Sequence, residues 1–122
     1  MSIHVLGKQW SGLLHGTGAV FSPGDIVSPA EVAGVESPSS WDYKEAEQYA
    51  HATTHPSTAA SFAFFNADHR ETPRVYGVEP VDPSDVRSDP YMEGEPGSNV
   101  RSRAGFRVVG EATHPFLPVR EW

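Results

Sequence analysis

Glycine and proline interrupt this chain at short intervals, since each occurs 11 times among its 122 residues. Both residues break regular backbone structure, so their density favours short strands joined by long ordered loops over a helical bundle. The length is that of one domain, and we expect residues 1–122 to fold around a single core. The chain has no cysteine, which excludes a disulfide scaffold, a thiolate metal site and a cysteine nucleophile.

The charge balance limits the partners that the chain is expected to bind. It has 9 Lys+Arg and 16 Asp+Glu, a net charge of −7, whereas nonspecific binding to nucleic acid or an anionic membrane needs a basic surface. No apolar run approaches the roughly 18–20 residues that cross a bilayer, and the first residues lack the pattern of a signal peptide. We therefore expect a cytoplasmic protein that binds no membrane and has little tendency to bind nucleic acid.

Hydrophobic periodicity and turn residues predict an α+β fold with one or two helices. A helix is predicted over 56–66, where Pro56 suits the first turn and an apolar stripe follows, and a second over 42–48. Residues 49–54 fit either a helix or a strand by propensity alone. Strands are predicted at 12–15, 26–27, 74–79, 106–112 and 116–122, and loops at 28–40 and 80–96.

Three combinations of chemically active residues do not meet the requirements of a metal or nucleophile site. His51 and His55 have the helical spacing of metal ligands, but no glutamate follows His51 and Pro56 comes directly after the pair. The aspartates of the 80–96 loop do not match the spacing of a calcium-binding loop. Ser11 and His15 lack a nucleophile-elbow motif. We predict no metal site and no serine nucleophile.

A succession of short motifs along the chain is more informative than any one of them. The strand that ends in His15 is followed by two small residues, which expose backbone to a ligand. Two arginines on either side of Ser102 suit a phosphate group. The ordered set consists of His15-Gly16-Thr17, Pro23-Gly24-Asp25, Tyr49 with Ala52-Thr53, Val75 to Pro80, Asp89-Pro90, Pro96-Gly97, Arg101-Ser102-Arg103 and Arg107 to Glu111.

This ordered set, across about residues 12–113, closely resembles the rifamycin-inactivating ADP-ribosyltransferases of bacteria. The resemblance implies a small split β-core of the ADP-ribosyltransferase type that clamps NAD+, and it favours a strand over 49–53. The chain departs from the family's pattern in a shorter segment between Pro90 and Arg101, in Val100 where the family has tyrosine, and in His51 where it has a small residue.

The resemblance also implies roles for individual residues. His15 is expected to hydrogen-bond the ribose next to nicotinamide, and the backbone of Gly16, within the motif that ends at Thr17, to hold the carboxamide. Tyr49 is expected to stack on the nicotinamide ring, with Tyr43 as the competing assignment. Asp89 is expected to orient the acceptor and to stabilise the positive charge of the ribose. Arg101, Ser102 and Arg103 are expected to bind the pyrophosphate of NAD+.

The sequence thus predicts an NAD+-dependent mono-ADP-ribosyltransferase. The first hypothesis is transfer of ADP-ribose to a hydroxyl of a rifamycin-like antibiotic with release of nicotinamide. The second keeps the reaction but places a protein or nucleic acid as acceptor. The third is a domain that binds NAD+ without catalysis. In the first two, the chemistry requires a fixed leaving group and negative charge near the developing cation.

Overall fold

A computed structural model describes residues 3–29, 48–67, 71–89 and 98–113 of the chain. These residues contain nine strands, one α-helix, α1 (Pro56–Asn66), and one 3-10 turn (Pro83–Asp85). In chain order the strands are β1 (His4–Val5), β2 (Lys8–Gln9), β3 (Leu13–Thr17), β4 (Ile26–Val27), β5 (Ala50–Thr53), β6 (Arg74–Pro80), β7 (Arg87–Ser88), β8 (Asn99–Ser102) and β9 (Phe106–Thr113).

The strands form one sheet in the order β2-β1-β9-β6-β3-β5-β8-β7, and every pairing is antiparallel. The outer edge of β9 is shared by two short strands, because β4 pairs with its beginning and β1 with its end. β1 and β2 are joined by the two residues Leu6 and Gly7, whose φ angles of 53° and 75° are those of a tight hairpin turn.

A bulge separates the two halves of the β6–β9 pairing. Gly77 lies opposite Gly110, yet the next residue, Val78, lies opposite Val108, so that Val109 is the extra residue in β9. An extra residue shifts the alternation of side chains between the two faces of a strand. As a result β9 contributes to both sides of the sheet.

Two buried clusters lie on opposite faces of this sheet. The Phe106 cluster is centred on the fully buried Phe106 and Tyr76 and consists of Val27, Ala50, Ala52, Tyr76, Val78, Val100, Phe106 and Val108. The helix cluster joins β1, β3, β6, β9 and α1 and consists of Ile3, Val5, Leu14, Ala59, Ala63, Val75 and Ala112.

Helix α1 lies directly on β3, and a glycine makes this close approach possible. A Cβ atom on Gly16 would lie 1.9 Å from the carbonyl oxygen of Ala59 and 2.7 Å from the amide nitrogen of Ala63. Both alanines are buried in the helix cluster. Small residues on both elements therefore bring the helix backbone against the strand and fix one wall of the cleft described below.

The α+β prediction is wrong in its balance of elements. The described residues form a mostly antiparallel β-sheet with strand at 44% and a single short helix. The imbalance has a physical cause, since strands of two to four residues such as β1, β2, β7 and β8 are too short to show periodicity and are formed by pairing with their neighbours.

The helix and four of the strands agree with the predicted elements. The helix over 56–66 has the expected bounds, and strands occupy 13–17, 26–27, 74–80 and 106–113. Residues 50–53 form a strand, as the resemblance favoured. Part of the loop predicted over 80–96 is instead the 3-10 turn and β7. The predicted helix over 42–48 lies almost entirely outside the described residues, and the strand over 116–122 lies wholly outside them.

Candidate functional site

A cleft opens where β3 and β5 separate. The two strands share a single pair of opposed residues, Leu14 and Thr53, whereas β3 pairs with β6 along all five of its residues. His15 and Gly16, the residues of β3 that follow the last shared pair, line the opening. The cleft is thus built by ending one ladder of the sheet early while the neighbouring ladder continues.

The His15 side chain spans the gap between these two strands. Its Nδ1 lies 2.7 Å from the backbone carbonyl oxygen of His51, and since a carbonyl only accepts, Nδ1 is the donor. Burial lowers the pKa of His15, against the raising effect of the bond to the His51 carbonyl, and the nearby His51 ring lowers it further. The ring is therefore neutral at pH 7, and its Nε2 is a hydrogen-bond acceptor.

A histidine and a carboxylate meet on the opposite wall of the cleft. Nδ1 of His51, on β5, lies 3.0 Å from Oδ2 of Asp89, which directly follows β7. The backbone N–H of Asp89 donates to the carbonyl oxygen of Asn99 at 2.9 Å, which holds this residue against β8. The Asp89 side chain is only 7% exposed, whereas the His51 side chain is 35% exposed.

Helix α1 closes the remaining side of the cleft. The enclosed part of the cleft has a volume of about 50 Å³, and the cleft opens to solvent beyond it. The lining residues are Leu14, His15, Gly16, His51, Ala52, Thr53, Phe62, Asn66, Asp89 and Asn99.

Two arginines stack on a tyrosine beside the cleft. The guanidinium carbon of Arg101 lies 4.0 Å from the centroid of the Tyr49 ring, and that of Arg103 lies 5.1 Å from it. Nη2 of Arg103 also donates to the Tyr49 hydroxyl at 3.2 Å. Arg101 is the cross-strand partner of His51, so the two side chains share one face of the sheet. The cluster places two positive charges next to the His51 wall.

Asp85 organises the turn that follows β8. Its Oδ2 accepts hydrogen bonds from the Ser102 hydroxyl at 2.9 Å, the Arg103 amide at 2.8 Å and the Ala104 amide at 2.9 Å. These bonds, above all that from Ala104, lower the pKa of Asp85. Ser102 is fully buried and faces this carboxylate.

The family of the chain follows from comparison of its sequence with family models. The model of the rifampin ADP-ribosyl transferases, Arr-ms, matches residues 13–114. The chain belongs to this family. A search of curated proteins found no match. Because membership extends over most of the chain, its activity is that of a rifampin ADP-ribosyl transferase, which uses NAD+ as co-substrate and a rifamycin as acceptor.

The structure brings together only part of the site predicted for this rifampin ADP-ribosyl transferase. His15, Gly16 and Asp89 line one cleft. Thr17 lies at the end of β3, where its hydroxyl accepts from the Ala19 amide, outside the lining. Tyr49 is buried beneath its arginines and does not line the cleft either. Tyr43, the competing assignment, lies outside the described residues.

Sequence reasoning missed His51 as a residue of the transferase site. It was singled out only as a metal ligand and as a departure from the family's pattern. The alternation of β5 carried the missing signal, because Ala50 and Ala52 are both buried in the Phe106 cluster and His51 must then point to the opposite face. That face is the one on which α1 lies.

The sequence also predicts that the chain has no metal site and no segment that crosses a membrane. Among the described residues, no group of three or more histidine and acidic side chains is arranged to hold a metal ion. No helix within the same residues has the length and apolar character needed to cross a membrane.

Proposed function

We propose that the cleft between β3, β5 and α1 binds the nicotinamide riboside end of NAD+ and that ADP-ribose is transferred there to a rifamycin hydroxyl. The observation that carries this proposal is that Asp89, which is distant in sequence from His15 and Gly16, lines the same opening. The residues present fit the nicotinamide end, since apolar groups such as Phe62 lie beside a few convergent polar ones.

His15 and Gly16 hold the riboside end in this proposal. With Nδ1 donating to the His51 carbonyl, the Nε2 of a neutral His15 accepts a hydrogen bond from a ribose hydroxyl. Gly16 lines the cleft, where its backbone contacts the nicotinamide carboxamide in this proposal. The tight contact of Gly16 with α1 makes this wall rigid, which suits a group that must fix a leaving group.

Asp89 supplies the negative charge that the reaction needs. Cleavage of the bond between nicotinamide and ribose leaves positive charge on the sugar, and a fixed carboxylate nearby stabilises that charge. The carboxylate of Asp89 is held by the His51 ring at 3.0 Å and by its backbone bond to Asn99. Its low exposure strengthens its effect on charges in the cleft.

The pyrophosphate lies on the arginine side of the cleft in this proposal. Arg101 and Arg103 offer guanidinium groups that suit phosphate oxygens, and Tyr49 orients both of them by stacking. Ser102 contributes through Asp85, which ties the turn carrying Arg103 to the edge of the sheet. The proposed place of action is the cytoplasm, which contains the NAD+ that the reaction consumes.

Mass spectrometry of a reaction containing the protein, NAD+ and rifampicin tests this function. The expected product is the antibiotic with one added ADP-ribose, accompanied by an equal amount of free nicotinamide. Nicotinamide without a rifampicin adduct would indicate a transferase for a protein or nucleic-acid acceptor, or an NAD+ hydrolase. Bound NAD+ with neither product would leave a binding domain and would contradict the proposal.

A further inference from the structure

We propose that His51 is the general base that takes the proton from the acceptor hydroxyl, and that Asp89 acts through His51 as its positioning residue. This inference rests on the proposed function, because it concerns the same cleft and the same transfer. It assigns to His51 a role that neither the family resemblance nor the metal-ligand hypothesis gave it.

The first argument is accessibility. Asp89 and His51 are in contact, but the carboxylate is 7% exposed and the imidazole is 35% exposed. An acceptor that enters from solvent therefore meets the ring of His51 more readily than the carboxylate behind it. A buried carboxylate that touches an accessible imidazole is the usual arrangement in which the carboxylate orients and the imidazole exchanges the proton.

The second argument is the tautomer of the ring. A carboxylate only accepts hydrogen bonds, so the 3.0 Å contact requires that Nδ1 of His51 carries a proton. In the neutral ring the basic lone pair then belongs to Nε2. Protonation of Nε2 produces an imidazolium whose charge the Asp89 carboxylate stabilises directly, which favours proton uptake from a hydroxyl.

The third argument is that the other cleft histidine is committed elsewhere. His15 donates its Nδ1 proton to the backbone of His51 and spans the strand gap. Burial, its largest influence, lowers the pKa of His15, and among the described residues no acidic group shifts it. Because its protonated form is disfavoured, the His15 ring is a poor general base and suits a neutral hydrogen-bonding role.

Among the residues that the structure describes, charged and titratable groups approach His51 from several elements. His15 faces it from β3, Asp89 from the segment after β7 and Arg101 from β8, and Tyr49 directly precedes β5. Helix α1 contributes the uncharged Phe62 and Asn66 to the lining.

The step balances with the groups present. The acceptor oxygen forms a bond to the anomeric carbon of the nicotinamide ribose, and the bond from that carbon to the nicotinamide nitrogen breaks. The electron pair of the broken bond stays on the nitrogen, which leaves as neutral nicotinamide. The hydroxyl proton passes to Nε2 of His51 and then to solvent, so that one proton is released for each ADP-ribose transferred.

The experiment compares kcat, KM for NAD+ and the pH profile of rifampicin ADP-ribosylation among the native protein and three variants. His51→Gln is expected to lower kcat about 100-fold, the usual contribution of a general base, with a smaller effect on KM. Its residual rate should lose the ionisation that controls the native rate. Asp89→Asn should also lower kcat, because the His51 ring loses the carboxylate that fixes its orientation and tautomer. His55→Gln is the matched control, since His55 is exposed and lies outside the cleft.

Chemical rescue gives a readout that a merely structural role would not produce. Imidazole in solution is expected to restore part of the activity of His51→Ala and none of that of His55→Gln, which needs no rescue. A native kcat and pH profile in His51→Gln would overturn the inference while leaving the proposed function intact. A loss in His51→Gln confined to KM would also overturn it and would make His51 a binding residue. Neither adduct nor nicotinamide from the native protein would overturn both.

Discussion

The two sides of β3 show how this sheet makes room for a ligand. Towards β6 every residue of the strand has a partner, and His15 itself lies opposite Tyr76. Towards β5 the ladder ends after Leu14, and the His51 carbonyl is satisfied by the His15 ring instead of a backbone amide. A buried carbonyl needs a donor, and here the donor is a side chain that also lines the cleft.

The β6 side of β3 is tightly packed, whereas its β5 side is open to a ligand. The β6 side is filled by Tyr76, whose hydroxyl accepts from the Phe21 amide at 2.9 Å and donates to the Ala19 carbonyl at 3.2 Å. On the β5 side, the His15 ring bonds the His51 carbonyl across the gap, and residues of α1 line the opening. One strand can therefore be anchored on one edge and reactive on the other.

The largest expected effect comes from filling the contact between β3 and α1. In Gly16→Ala the new methyl group would overlap backbone atoms of Ala59 and Ala63, neither of which can rotate away. We expect a loss of at least about 2 kcal/mol in the free energy of unfolding, in the range of overpacked cores, and loss of the cleft. Urea denaturation measures the first effect and NAD+ binding the second.

Gly12→Ala is the matched control for this substitution. Its methyl group would meet only the side chain of Trp10, at 3.1 Å, and a side chain can move. Equal unfolding free energies for the two variants would contradict the assigned role of the Gly16 contact.

The second expected effect distinguishes the closed side of β3 from the open one. Tyr76→Phe removes two hydrogen bonds of a buried tyrosine, those to the Phe21 amide and the Ala19 carbonyl, each worth about 0.5–1.5 kcal/mol. Tyr49→Phe removes a hydroxyl whose bonded partner, Arg103, is exposed to water, so we expect a smaller loss. Thermal unfolding of both variants gives the comparison, and a larger loss in Tyr49→Phe would reverse it.

A third prediction concerns pH and the histidine between the strands. Burial, as its largest influence, lowers the pKa of His15 below the usual histidine value of 6.5. As the pH falls below that value the unfolded chain binds a proton that the folded chain does not, so folded stability decreases. At higher pH both states are neutral and the contribution of this titration vanishes.

The variant His15→Gln isolates this titration. We expect it to be less stable than the native protein at neutral pH, because the His51 carbonyl loses its donor, and to approach the native protein as the pH falls. Unfolding free energies measured across this range test the sign. A stability difference that grows with acidification would show that His15 is charged in the folded protein.

The smallest expected effect lies at the outer edge of the open side. The Asp85 carboxylate receives three hydrogen bonds at the turn after β8, and these lower its pKa. Its contribution is complete above the usual pKa of an aspartate and disappears as the pH falls through the lower folded value. Asp85→Asn should therefore lower the melting temperature slightly at neutral pH, with a difference from the native protein that shrinks in acid. A constant difference would argue against the charged bonds.

Sequence reasoning was most successful for elements with strong local signals. Pro56 and the small apolar residues after it are sufficient to predict α1, and alternation is sufficient for β6 and β9. β8 was missed because what defines it is its pairing with β5 and β7. Pairing between distant segments leaves no local pattern in a strand of four residues.

The residues of the site also differ in whether a local sequence pattern indicates them. The small residues after His15 marked the cleft because that motif is local, and Asp89 was indicated by the family's pattern. The contact between Asp89 and His51 joins residues 38 positions apart and depends on the order β5-β8-β7. No spacing in the sequence specifies that order, so the partner of Asp89 could be recognised only in three dimensions.

The bulge at Val109 shifts the alternation of side chains along β9 by one residue. Val108 and Ala112 are four positions apart, which in an unbroken strand would place them on one face, yet they belong to different clusters. Deleting Val109 would make Val108 and Gly110 consecutive opposite Val78 and Gly77, so the residues beyond the bulge would keep their partners and their faces. A deletion at this position should therefore cost less stability than a deletion elsewhere in β9, which would move the side chains beyond it to the opposite face.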